Sequence, residues 1–543
     1  MLRTDHPRLF APAAGCCALL LLLLLAGLVP VSRAYARSGA SSVNVNLESG
    51  TITSHLSTGV SLVDTSLFSS WSGNSPTAVG GANSIVSSAA SFVNVPVMGW
   101  GSADPWPDPA TPGPTNWGTL DSKMKMAIAS GHTPVITLAE APWWMKGQLQ
   151  RDGTTKLIPD AQGDWAPHTY TTPVTDYRGI NYPAGYVSPD PYAARILDNE
   201  MGKWLTLVED VVRRYMAPPY NVRYFQVWNE LKGYYNPGTN EYDYTTSPGD
   251  PSGYNAENGY TYMYNEVYER LMGVATSLGI PTTSVQVGGP YVVMQTWSNA
   301  KTESNPSNLT EAYGNFDERP LDVIKYWLQH KVGAGFITVD GSNTNSDGVN
   351  LTNDFTAAQK FGDVVSWIRS LDPAQYPGST TLPVWWAEWY ATPHSISGAT
   401  PAADAAVKSY AIAYLLEHGG AVPLSWGEQG SWTADDGAGA SLYTDTDQAS
   451  GGEPYPWYYD YQAFKDDFGP GTRIYATSVS NSAKLAVLAS AAHTMLINKT
   501  GRGLTVKLDG VRETLAPYQV AVTATRESTA FRRRTRTARR TRV

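Results

Sequence analysis

Two glutamates stand at positions where a carboxylate could do chemistry. Glu230 closes the run Phe225-Gln226-Val227-Trp228-Asn229-Glu230, and Glu388 closes Pro383-Val384-Trp385-Trp386-Ala387-Glu388, just before Trp389. Each run is rich in the β-branched and aromatic residues that strands favour. An acid at the C-terminal end of a parallel barrel strand lies where such folds keep their reactive groups. Two carboxyl groups together can protonate a leaving oxygen and stabilise an oxocarbenium-like centre, the two demands of cleaving a glycosidic bond. One such glutamate alone is as readily an ordinary solvated charge. The matched pair, in aromatic surroundings, points to chemistry.

The elements that must position the pair follow a strand–helix rhythm. Apolar strands are expected over 59–64, 92–98, 133–138, 222–228, 284–288, 335–340, 383–388 and 421–426. The segment before the fourth strand carries Leu197, Met201, Trp204, Leu205, Val208, Val211, Val212 and Tyr215, a helical stripe that stops ahead of Pro218-Pro219. Eight strands alternating with helices predict a (β/α)₈ TIM barrel over 58–470. From 471 to 525 the strands are short with no helical stripe between them. A β-sandwich is expected there, joined by strands from 37–57. Long loops over 141–192, 231–256 and 428–457 fall on the side where the barrel strands end, and loops of that length are usually functional.

Composition narrows the function. The chain has 543 residues with 18 Trp and 32 Tyr against 11 Phe. Trp and Tyr pair a flat apolar face with a hydrogen-bonding tip, which suits the apolar faces and polar rim of a sugar. Arg3 and Arg8 precede an apolar run over 16–31, and Ala34-Tyr35-Ala36 fits a small-x-small cleavage site. Residues 1–36 therefore read as a signal peptide, which implies a secreted protein without an integral membrane span. Both cysteines, Cys16 and Cys17, lie inside that leader, so the remaining chain has no disulfide or thiolate metal site. Eight arginines against one glutamate crowd residues 526–543, a tail expected to be disordered, with tethering to an anionic surface as its functional alternative. The rest is thus more acidic than the formal charge of −9, which argues against nucleic acid as a partner. Three glycosylation sequons begin at Asn308, Asn350 and Asn498.

Trp228-Asn229-Glu230 and Ala387-Glu388-Trp389 resemble the large clan of retaining barrel glycosidases. Pro142-Trp143-Trp144-Met145 after the third strand and Ser425-Trp426-Gly427-Glu428 at the eighth fit as well. Within the clan the chain is most similar to glycoside hydrolase family 39, the β-xylosidases and α-L-iduronidases. The resemblance implies that Glu230 is the acid/base, that Glu388 is the nucleophile, and that Asn229 binds the sugar 2-hydroxyl. Trp426 is the expected sugar floor. Trp143, Trp144, Trp389, Tyr234, Tyr235, Tyr291 and Trp297 are further candidates for sugar contact, and Glu428 and Asp340 for hydroxyl contact. One departure stands out: the sixth strand ends Ile337-Thr338-Val339-Asp340-Gly341, where the family tends to offer a His followed by a Tyr.

Neither a Gly-rich phosphate loop nor a His-x-x-x-His helix is present, so no cofactor or metal is expected. Asp435, Asp436, Asp445 and Asp447 offer oxygen ligands of the kind calcium takes, although solvated loop charge is the plainer reading. The expected activity is exo-hydrolysis of β-xylosides or related plant-polysaccharide fragments. An endo-β-glycanase working in an open cleft is the alternative within the clan. The rival from another class is a catalytically inactive barrel that binds oligo- or polysaccharide.

Overall fold

The computed structural model describes residues 40–63, 66–68, 73–163, 167–426 and 442–525. The leader, the Arg-rich tail, Glu428, Asp435 and Asp436 lie outside the described residues. Eight parallel strands close into a barrel: β1 (Gly59–Ser61), β2 (Phe92–Pro96), β3 (Thr133–Leu138), β4 (Tyr224–Val227), β5 (Gln286–Val293), β6 (Phe336–Ser342), β7 (Val384–Tyr390) and β8 (Val422–Trp426). Each strand pairs with its sequence neighbour, and β8 closes on β1 through Leu424↔Gly59. A helix follows each: α1 (Pro76–Ala89), α2 (Gly118–Ala129), α3 (Met201–Met216), α4 (Tyr260–Ser277), α5 (Glu318–His330), α6 (Lys360–Ser370), α7 (Pro401–Glu417) and α8 (Pro456–Asp467). The (β/α)₈ barrel read from the sequence is the fold.

Local chemistry accounts for these elements. α3 buries the stripe from Trp204 to Tyr215 against the strands. α5 starts at Asp317, whose carboxylate accepts from the Arg319 amide, and α7 starts at Thr400 with Pro401 in its first turn. Two helices have no counterpart in the sequence reading. α1 (PTAVGGANSIVSSA) is rich in Gly and Ser and has a weak helix signal, and tertiary burial of Val79, Ile85 and Val86 overrides it. α8 mixes aromatics and acids, but buries Trp457, Tyr461 and Phe464.

The barrel interior is layered. At the end where the strands begin, Phe92, Tyr224, Phe336 and Trp385 come from β2, β4, β6 and β7, with the Phe336 and Trp385 rings stacked 4.0 Å apart. The next layer is polar and buried. Thr137 Oγ1 donates to Asn94 Oδ1 (2.8 Å), Gln226 Nε2 donates to Thr137 Oγ1 (3.1 Å), and Asn94 Nδ2 donates to Ser61 Oγ (3.1 Å). This bonded floor lies beneath the strand ends that carry the site.

Beyond the barrel, the strand Ser41–Thr53 pairs antiparallel with Arg473–Val479 and parallel with Leu504–Leu508, whose other edge takes Val511–Leu515. A second sheet joins Leu485–Ala489, His493–Asn498 and Val520–Ala524. Val43, Val45, Leu485, Leu496, Val506 and Leu508 fill the space between the sheets. The loop after β5 builds a further antiparallel sheet (Thr296–Trp297, Gly314–Asp317, Pro306–Glu311) that the sequence did not announce. Among the described residues no helix is long and apolar enough to cross a membrane.

Candidate active site

Glu388 owes its direction to an irregularity in β7. Val339 of β6 pairs with Trp386, but Asp340 pairs with Glu388, so Ala387 is an extra residue in the ladder. Strict alternation would send Trp386 and Glu388 to the same face. Instead Trp386 and Trp389 both pack on Phe361 of α6, at 4.6 and 5.6 Å between ring centroids. Glu388 is thereby turned towards the barrel mouth, 4% exposed, directly beside Asp340. β5 has a similar irregularity between Pro290 and Val292. The extra residue there is Tyr291, at φ 56°, and its hydroxyl donates to Glu388 Oε2 (3.3 Å). Tyr390 donates to the other oxygen, Oε1, in a very short hydrogen bond.

Glu230 arrives by a different route. β4 ends at Val227, and Trp228 (φ 68°), Glu230 (φ 47°) and Leu231 (φ 49°) all take left-handed backbone conformations. The turn is held by Trp228, whose ring meets Trp204 edge-on at 5.5 Å and whose Nε1 donates to the Lys232 carbonyl (2.9 Å). Lys232 Nζ lies 2.6 Å from Glu230 Oε2, and the Tyr192 hydroxyl donates to the same oxygen (3.1 Å). Asn229, 2% exposed, donates from Nδ2 to the Tyr192 hydroxyl (3.2 Å).

These groups converge. One carboxylate oxygen each from Glu230, Asp340 and Glu388 lie within 4.8 Å of one another. Burial pushes the Glu388 carboxyl up to about 8, reinforced by the charge of Glu230 and opposed by Tyr390, Lys232 and Tyr291. Burial raises Asp340 well above the usual carboxylate range, with Glu388 and then Glu230 adding to it. Burial pulls Lys232 down, but the carboxylates of Glu230, Asp340 and Glu388 outweigh it and the net shift is upward. Asp340 and Glu388, neighbours across the ladder, are thus both pushed towards the protonated form and titrate as a pair.

The other candidates fall into two groups. Trp426, at the end of β8, meets the edge of Trp100 at 5.5 Å, and Trp100 in turn meets Tyr192 at 5.7 Å. An aromatic arc therefore runs from β8 to the tyrosine that holds Glu230. Trp144 is fully buried, its Nε1 bonded to the Trp106 carbonyl (2.9 Å) and its ring met by Trp106 and Tyr177. Trp143 is also buried, edge-on to Tyr177, and Trp389 lies between Phe361 and Trp457 in the helix layer. All three rings are enclosed by these neighbours beside the site. Tyr234 is buried and bonded to Asn258, Tyr235 is exposed, and Trp297 is held by Asp317. Sequence reasoning missed Tyr192, Lys232, Tyr390 and Trp100. It also missed Glu140, buried after β3 in an ion pair with Lys146 at 2.7 Å. Tyr390 and Lys232, each two residues past a strand-end glutamate, had positions that could have signalled them.

No family model matches the chain, and no curated protein matches it. Solved structures match in fold. SrfJ from Salmonella typhimurium superposes over 91% of this chain and 94% of its own, at 11% identity and a TM-score of 0.52. A conserved exported protein from Bacteroides fragilis superposes over 89% and 100%, at 10% identity and a TM-score of 0.54. A monomeric β-xylosidase from Caulobacter crescentus superposes over 86% and 83%, at 14% identity and a TM-score of 0.47. At such identities the likeness is one of fold.

Proposed function

We propose that the protein is a retaining glycoside hydrolase of the family 39 type, with Glu388 as nucleophile and Glu230 as acid/base. The observation that carries this reading is the approach of Glu230 and Glu388, whose carboxylate oxygens come within 4.8 Å. Retaining sites hold their carboxyls roughly 5–5.5 Å apart, whereas inverting sites leave about 6.5–9.5 Å for a water between them. Glu388 attacks the anomeric carbon while Glu230 protonates the departing oxygen. The resulting ester consumes the charge of Glu388, and Glu230 then takes a proton from the water that releases the sugar. Asn229, tied to Tyr192, is placed to bind the sugar 2-hydroxyl, and Trp426 and Trp100 border the space where the ring would lie.

The substrates proposed are β-xylosides or related plant-polysaccharide fragments, cleaved from chain ends by an exported enzyme. The resemblance in the strand-end motifs supports the sugar class. The loops over 141–192 and 231–256, which fold into small sheets beside the strand ends, support exo action. The leader-like residues 1–36 support export. The test is a screen of aryl β-xyloside, β-glucoside, β-galactoside and α-arabinoside, followed by a mechanism-based 2-fluoro sugar and peptide mapping. Label on Glu388 and a product of retained configuration are expected. An inverted product, or label on another residue, overturns the assignment.

A further inference from the structure

The nucleophile reading leaves a problem that the structure itself poses. A buried glutamate beside two more carboxyls resists ionisation, yet attack on an anomeric carbon needs the carboxylate. The hydrogen bonds around the cluster indicate where its proton resides. Both oxygens of Glu388 accept from phenols, Oε2 from Tyr291 and Oε1 from Tyr390, and such donors favour the ionised form. Oε2 of Glu230 faces the Lys232 ammonium and the Tyr192 hydroxyl. Asp340 has no comparable support. It is 1% exposed, and its Oδ2 has no donor within reach. Its carboxyl has an oxygen within 4.8 Å of one of Glu388, its direct neighbour across the β6–β7 ladder.

Two buried carboxyls with oxygens within 4.8 Å of each other cannot readily both ionise, and the proton falls to the one that has an oxygen without a donor. We propose that Asp340 is a permanently protonated carboxyl that donates a hydrogen bond to Glu388 and so eases ionisation of the nucleophile in a buried site. The inference rests on the double-displacement reading for its catalytic meaning, but not for the proton itself. Asp340 is a positioning residue here: it acts through Glu388 and keeps its proton throughout the cycle. It also accounts for the departure in the sixth strand, since a protonated carboxyl supplies a neutral donor at that position.

The charged groups around Asp340 fit this assignment. Lys360 of α6, 2% exposed, donates to Thr296 Oγ1 (3.4 Å). Among the described residues no ion pair joins Lys360 to Asp340, and burial drives the lysine down to about 7, against the pull of Asp340. Lys232 on the opposite side is engaged by Glu230. A divalent cation is the other means of gathering three carboxylates. Here it would have to compete with an ammonium and three phenol donors.

Infrared difference spectroscopy of the full chain at about pH 9, above the range in which Glu388 holds a proton, tests the Asp340 proton directly. The carbonyl band of a protonated carboxylic acid should be present, should vanish in Asp340→Asn, and should survive in Glu230→Gln. Activity tests the role. Asp340→Asn, which keeps a neutral donor, should stay within about tenfold of wild type in kcat/KM, while Asp340→Leu should lose about 100-fold or more. The acid limb of the Asp340→Leu pH profile should also move to higher pH, a shift that a merely structural defect would not produce. Lys360→Met and EDTA treatment should leave the rate within about twofold.

A missing band, or one that survives in Asp340→Asn, overturns the proposal whatever the rates. So does an Asn variant as inactive as the Leu variant, or activity abolished by EDTA and restored by calcium. A band with the expected behaviour in a chain that hydrolyses no glycoside would instead refute the functional reading and leave the proton assignment standing.

Discussion

β4 and β7 each deliver one glutamate to the same space, through different backbone devices and into different surroundings. β7 stays in the sheet as far as Tyr390 and uses a single extra residue, Ala387, to turn Glu388 inward. β4 leaves the sheet at Val227 and carries Glu230 on a turn with three left-handed non-glycine residues. Each such conformation costs on the order of 1–3 kcal/mol, and the packing of Trp228 on Trp204 must offset it. Glu388 is locked in the ladder with phenols on both oxygens. Glu230 is more open and faces an ammonium whose own side chain is 30% exposed. The difference matches what the two roles would require. A nucleophile must be held within a fraction of an ångström of one carbon, whereas an acid/base must exchange its proton with leaving group and water in turn.

The largest effects should separate the two ends by chemistry. Glu388→Gln should lower kcat by about 10⁴-fold or more for every substrate, because no covalent intermediate can form. Glu230→Gln should cost about 10²–10⁴-fold on alkyl or sugar leaving groups. With a dinitrophenyl leaving group, which departs without a proton, the first step should survive and a glycosyl-enzyme should accumulate, visible as a burst. Equal losses for both variants on every leaving group would erase the asymmetry.

Smaller effects should follow the same division. Tyr390→Phe removes a hydrogen bond to a carboxylate, worth about 1.5–3 kcal/mol, so kcat/KM should fall about 10–100-fold. Lys232→Met removes the ion pair at Glu230, whose side chains are 30% and 15% exposed and so open to solvent screening; at about 1 kcal/mol for the pair, the loss should stay within about fivefold. Added salt should weaken the wild type towards the Lys232→Met rate and leave the Tyr390→Phe ratio unchanged. A Lys232→Met loss larger than that of Tyr390→Phe would mean that the open end, not the locked one, carries the electrostatic burden.

Much of this arrangement was legible beforehand, for identifiable reasons. The two strand-end glutamates and the eight-fold rhythm are local patterns, and local patterns are visible in a sequence. The bulge at Ala387 is not, because it depends on how β7 is matched against β6. Trp386 and Trp389 both facing α6 is its only trace, and the letters alone do not show which way a ring points. The same ambiguity applies to Trp144 and Trp389, because a tryptophan in the helix layer and one at the mouth differ only in what surrounds them. Tyr192 and Lys232 were missed because a long loop and a left-handed turn bring them to Glu230. Asp340 was noticed as a departure, but the importance of its position appears only when its neighbour on β7 is known.

The smallest effect compares the two glutamates through stability. Glu388 has its folded-state carboxyl raised from an ordinary 4.5 to about 8, so between those values the folded protein binds a proton that the unfolded chain releases. The stabilisation from this proton is full below about pH 4.5 and is lost as pH rises towards 8. Wild-type protein should therefore lose thermal stability across that window, and Glu388→Gln, which cannot ionise, should lose less. The Tm of Glu388→Gln should exceed that of wild type by about 1–3 °C at pH 8, and the gap should shrink towards pH 5. Scanning calorimetry of wild type, Glu388→Gln and Glu230→Gln at the two pH values measures it, with each variant read against wild type in the same buffer. A Glu230→Gln gap that grows with pH as steeply as the Glu388→Gln gap would place the shared protons on both ends alike and remove the distinction between them.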